Sequence, residues 1–119
     1  MNTLTIRLGG MDDIRSRVAQ AAKLAAEGKA VEVEPTLNFA TYEDMHRVLA
    51  PSRLAIVKVL AGQGPLSIRE VARRVGRDVQ AVHRDVTTLI NAGVVDRAEA
   101  GIEFPYRNIH FDFDVKTAA

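Results

Sequence analysis

The strongest constraint on this chain is one glycine set between two short amphipathic segments, within Ser67 to Ile90. Ser67-Ile68-Arg69-Glu70 reads as a capping box, in which the Ser67 hydroxyl accepts the free N–H three residues on and Glu70 reaches back to the Ser67 N–H. The helix it opens turns Ile68, Val71, Ala72 and Val75 inward and Arg69, Arg73 and Arg74 outward. It stops at Gly76, which tolerates a positive φ. Only Arg77 separates that glycine from Asp78, a good N-cap, after which Val79, Val82, Val86, Leu89 and Ile90 mark a second apolar stripe. Two short helices joined so tightly cannot lie antiparallel and must cross steeply.

The neighbouring segments extend this pair into a larger unit. Thr41-Tyr42-Glu43-Asp44 has the form of a capping sequence and opens a short helix with Met45, Val48 and Leu49 inward. Pro51 suits the first turn of the next helix, which carries Leu54, Val57, Leu60 and Ala61 and ends at Gly62-Gln63-Gly64-Pro65. After Ile90, Asn91-Ala92-Gly93 closes the last helix. Val94 to Ala98 then reads as a strand that Glu99-Ala100-Gly101 turns into Ile102-Glu103-Phe104. Three helices and a hairpin, the last two helices joined at a glycine, specify a winged helix-turn-helix within residues 41–104.

Both ends carry further periodic segments. Thr3 to Leu8 alternates, with Leu4, Ile6 and Leu8 on one face, and Met11 to Glu27 repeats Met11, Ile14, Val18, Ala21, Ala22 and Ala25 at helical spacing. Val31, Val33, Leu37 and Phe39 keep one parity across Pro35, which suits an edge strand. Ile109, Phe111, Phe113 and Val115 alternate through Asn108 to Val115 in the same way. The expected division is an α+β chain with a strand-helix-strand extension at 1–40, the winged helix at 41–104 and a terminal strand and tail at 105–119. The extension and the final strand are expected to form a dimer platform through Leu4, Ile6, Leu8, Phe111 and Phe113, because unpaired strand edges need cover.

The stretch Leu54 to Val95, with Gly64-Pro65-Leu66-Ser67-Ile68-Arg69-Glu70-Val71-Ala72, Val82-His83-Arg84-Asp85-Val86 and Leu89-Ile90-Asn91-Ala92-Gly93-Val94-Val95, resembles the MarR-like winged-helix DNA-binding regulators. With Thr3 to Leu8 in front, and Pro105-Tyr106 and Ile109-His110-Phe111 behind, the whole chain is similar to short bacterial and archaeal transcriptional regulators. Members of that group are often encoded beside a small toxin. The resemblance implies a repressor that binds double-stranded operator DNA and acts as antitoxin and autoregulator beside a cognate toxin; the expected homodimer makes that operator palindromic, and the cytoplasm is the default compartment.

The charge distribution agrees with that expectation although the net charge is only +1. From Arg53 to Arg84 there are seven basic and two acidic residues, a balance of +5, between a −1 segment at 1–50 and a −3 segment at 85–119. Concentrated cations, not a high total, are what phosphate neutralisation requires. On the second helix of the pair, Gln80, His83, Arg84 and Thr87 face outward and are the candidates for base edges, with Gln matched to adenine and Arg to guanine. Arg69, Arg73, Arg74 and Arg77 are the candidates for phosphates, setting affinity and register. The hairpin tip is acidic and short, so Arg97, with Arg107 behind it, is the wing's candidate for the minor groove.

Other chemistries lack their signatures. The chain has no cysteine, and His46, His83 and His110 are scattered with no metal-ligand spacing, so neither metal nor cofactor is expected. Gly62-x-Gly64 lacks the Lys-Ser/Thr of a phosphate loop, no serine lies in a nucleophile elbow, and no enzyme activity is expected. No apolar run approaches the ~18 residues of a membrane span, and the first ten residues do not read as a signal segment. The competing expectation is a protein-interaction module, in which the winged helix is a scaffold and the acidic, apolar strands neutralise a basic partner.

Overall fold

The computed structural model describes residues 3–29 and 35–115, and the architecture is α+β. In chain order the elements are β1 (Thr3–Leu8), α1 (Met11–Ala26), β2 (Thr36–Phe39), α2 (Tyr42–Val48), α3 (Pro51–Leu60), α4 (Ile68–Val75), α5 (Val79–Asn91), β3 (Asp96–Ala98), β4 (Gly101–Glu103) and β5 (Asn108–Phe111). Expected Val31 and Val33 of the edge strand lie outside the described residues. No helix among the described residues is long and apolar enough to cross a membrane.

Both chain ends meet in one three-stranded sheet of order β2-β1-β5, with β1 parallel to both neighbours. The first and last strands therefore pair within a single chain. Pro35 has no N–H to give this sheet, but its carbonyl accepts from the Thr5 N–H at 3.0 Å, so the ladder starts on the one polar group proline retains. Leu4 and Ile6 are buried and join Phe39, Met45, Leu49, Ile56 and Val57 in one continuous core, and Leu37 packs against it. The opposite face is also covered. Thr5 is buried there, and Arg17 of α1 donates to Asn38 Oδ1 at 2.9 Å. A parallel sheet closed on both faces needs such cover.

β5 is shorter than the alternation of Asn108 to Val115 suggests. The Asp112 N–H still donates to the Ile6 carbonyl at 2.9 Å, but the extended pairing stops at Phe111. Phe113 instead stacks edge-on against Tyr42 of α2 and against Phe111, each at 6.0 Å between ring centroids. Aromatic contact with a helix outweighs the two further ladder positions.

The helical body has its apolar residues where the 3.6-residue period puts them, with two differences. Val82, Val86 and Leu89 of α5 are buried, but Val79 is 42% exposed, because the first turn projects beyond the helices it packs on. In α3, Ile56 joins Val57 and Leu60 in the core, so the buried face is wider than a single stripe. β3 and β4 form an antiparallel hairpin whose Ile102 exchanges two backbone hydrogen bonds with Leu66, each 2.9 Å. Val94 and Val95, expected inside the first hairpin strand, are buried just before it.

Candidate nucleic-acid interface

The caps that set this surface follow their sequences, with one correction. The Ser67 hydroxyl accepts from the Glu70 N–H at 3.1 Å, and Asp78 accepts from the N–H groups of Gln80 and Ala81 at 3.0 and 3.2 Å. Between them Gly76 ends α4 at φ 69°, the left-handed conformation that turns the chain towards α5. The reciprocal half of the capping box is not made. Glu70 turns forward along α4, where Oε1 accepts from Arg73 Nε and Oε2 from Arg74 Nε, both at 2.8 Å. Two guanidiniums are stronger partners for a carboxylate than one neutral backbone N–H.

That exchange divides the expected cations into two sets. Arg73 and Arg74 are tied to Glu70, and Arg74 also donates to Gln63 Oε1 at 3.2 Å. Their hydrogen bonds lower the Glu70 carboxyl to about 2 from its ordinary 4.5, Arg73 contributing most. Arg77 donates to Asp85 Oδ2 at 2.8 Å from the turn to the side of α5. Arg53 comes to 3.5 Å of the same carboxylate from α3 and donates to the Arg47 carbonyl at 2.9 Å. Asp85, only 16% exposed, thus joins α3, the turn and α5. Its role was not visible in the sequence, because its partners lie on other elements, Arg77 eight residues back in the turn and Arg53 on α3.

Arg69 and Arg84 form the other set. Both are exposed, and neither side chain has a hydrogen-bond or acidic partner among the described residues. Gln80 and His83 are exposed beside Arg84 on α5. Thr87 is half-buried and donates its hydroxyl to the His83 carbonyl at 2.9 Å, so it offers only an acceptor and a methyl group. Val79, assigned by its spacing to the core, instead adds an apolar side chain to the exposed first turn. The result is a ridge on which one turn of helix carries an amide, an imidazole and a guanidinium free of competing partners among the described residues. Such groups can hydrogen-bond a flat polar edge while Arg69 lies on the neighbouring helix.

The remaining expected residues are separated from this ridge. Arg97 is exposed on β3 opposite Ile102. Of the five side chains expected at a dimer contact, Leu4 and Ile6 are committed to the chain's own core, while Leu8 and Phe113 are half-buried. Phe111 alone is largely outward, at 41% exposure. No group of three or more His, Asp or Glu residues that could hold a metal ion occurs among the described residues.

No curated protein and no solved structure matches the chain. A family model described as HVO_A0114 matches residues 48–111, from the end of α2 through the hairpin to the end of β5. That span contains the ridge, the Glu70 and Asp85 clusters and the hairpin, and it exceeds half of the 119 residues, so the chain belongs to the HVO_A0114 family.

Proposed function

We propose that this chain is a sequence-specific DNA-binding transcriptional regulator of the winged helix-turn-helix kind, acting as a repressor. The observation that carries the reading is the unpartnered set Gln80, His83 and Arg84 on the exposed face of α5. Polar side chains left without partners among the described residues on a rigid helix, while the neighbouring Arg73, Arg74 and Arg77 are tied to carboxylates, are available for a ligand at no cost in broken contacts. In the major groove Gln80 would pair with adenine and Arg84 with guanine, with Val79 against a thymine methyl. Arg69 would meet phosphate first, and Arg73, Arg74 and Arg77 would do so by exchanging carboxylate for phosphate. The hairpin is the wing, with Arg97 as its only cation. A homodimer on a palindromic operator, with half-sites ~34 Å apart, completes the reading.

The test is binding to the DNA upstream of its own gene, measured against salt and against scrambled sequence. Arg84→Ala should lose about 1–3 kcal/mol of discrimination between the two, whereas Arg73→Ala should weaken both alike and lower the salt slope by about 1. Equal binding to both sequences by the unsubstituted protein would overturn the reading. A second reading, a scaffold that binds and neutralises a partner such as a toxin, has one observation in its favour. Tyr42 and Phe111 expose apolar surface, and after β5 the chain carries an exposed Asp114, whereas Asp112 is already ion-paired with Arg7 at 2.9 Å. Retention of partner binding by the Arg84→Ala protein would favour it.

A further inference from the structure

A cleft of about 220 Å³ lies between α3 and the segment running from β4 to β5. Its walls are apolar: Leu54, Val57 and Ala61 on one side, Phe104, Ile109 and Phe111 on the other. Val57 and Phe104 are almost wholly buried and still line it, so they form its floor. Two cations, Lys58 and Arg107, belong to the same lining. Both are exposed, and neither has an acidic partner among the described residues. Arg107 is seated by its neighbour: a side chain at Gly62 would start 3.5 Å from Arg107 Cγ and 3.9 Å from its Nε, so the stem of the arginine runs over the glycine turn that ends α3.

We infer that this cleft is a binding site for a small organic monoanion, a carboxylate on a short apolar body. The apolar floor gains from covering by a hydrocarbon group, and two neighbouring positive charges without a counter-ion gain from one anionic head; a single carboxylic acid supplies both. Concave apolar sites with a few polar groups at fixed positions are the usual form of small-molecule sites. The volume falls below the ~300 Å³ at which pockets for drug-sized molecules begin, which restricts the ligand to a small acid. The site does not depend on what α5 reads, since none of its lining residues belongs to α4 or α5.

The experiment titrates the full chain with hexanoate and with cyclohexanecarboxylate, following backbone amide shifts by NMR, and uses the corresponding neutral amides as controls. The expected result is saturable binding with a Kd on the order of millimolar. Shifts should be confined to residues 54–62 and 104–111, and the amides should bind at least tenfold more weakly. Lys58→Gln and Arg107→Gln should each weaken the acids severalfold and leave the thermal midpoint unchanged, because both side chains are exposed. Equal binding of acids and amides, shifts centred on Arg69 to Arg84, or no saturation by either acid would overturn the site. Loss of DNA affinity in both variants without any acid binding would also overturn it and assign the two cations to phosphate.

Discussion

α1 and α5 are both amphipathic by sequence, and the structure treats them in opposite ways. α5 buries Val82, Val86 and Leu89, clamps Asp85 to two arginines and has its first turn capped by Asp78. α1 buries no residue at all. Ile14, Arg17, Ala21 and Leu24 are half-buried, while Met11 and Val18 are 62% and 63% exposed. An apolar period shows that a helix has a face to cover, but the cover comes from elsewhere: α5 has α3 and α4 around it, whereas among the described residues α1 has the Thr5 and Asn38 side of three short strands.

The largest effect should come from truncating the well-covered helix. Leu89→Ala, at a fully buried position, should cost about 2–5 kcal/mol in chemical denaturation. A cost below 1 kcal/mol would mean that α5 is no better packed than α1. Gly101→Ala tests the seam that fastens the hairpin to this body. At φ 150° an added Cβ would fall 2.2 Å from the Leu66 carbonyl oxygen, a backbone atom that cannot swing aside. About 1–3 kcal/mol should be lost, with increased amide exchange at Leu66 and Ile102. Undisturbed exchange there would show that the hairpin is held by other contacts.

Glu70→Gln sharpens the comparison on the charged surface. The folded carboxyl sits at about 2 against an ordinary 4.5, so its contribution to stability is present above 4.5 and is lost as pH falls through about 2. The substituted protein should show a flatter acid limb of unfolding in that window. On the proposed reading, Arg73 and Arg74 would then reach phosphate without giving up a carboxylate, so the substituted protein should also bind DNA more tightly. An unchanged acid limb would remove Glu70 from the account. The smallest effect is predicted for Val18→Ser on α1, within about 0.5 kcal/mol. A larger, concentration-dependent loss would reveal that a second copy covers this helix and would erase the difference between the two.

Much of the helical body was legible in the residues themselves. Ser67, Asp78, Thr41 and Pro51 mark helix starts, Gly76 marks the turn, and the 3.6-residue stripes of α4 and α5 predict their inner faces. These signals are local: a cap or a turn joins atoms a few residues apart, so neighbouring identities suffice. The same locality explains the exposed set of the candidate interface, since Gln80, His83 and Arg84 face outward once Val82 and Val86 face inward. It also explains the error at Val79, where the stripe continues but the neighbouring helices do not.

What only the tertiary structure decided involves partners far apart in the chain. The pairing of β1 with β5 joins residues 3–6 to 108–111 and takes Leu4 and Ile6 into the chain's own core. Arg53 of α3 and Arg77 of the turn meet on Asp85 of α5. The cleft beside Lys58 and Arg107 exists only because β5 returns to lie against α3. Burial and electrostatic competition are settled by every group within reach, not by spacing along the chain, so free arginines could be told from tied ones only after folding had placed their carboxylates.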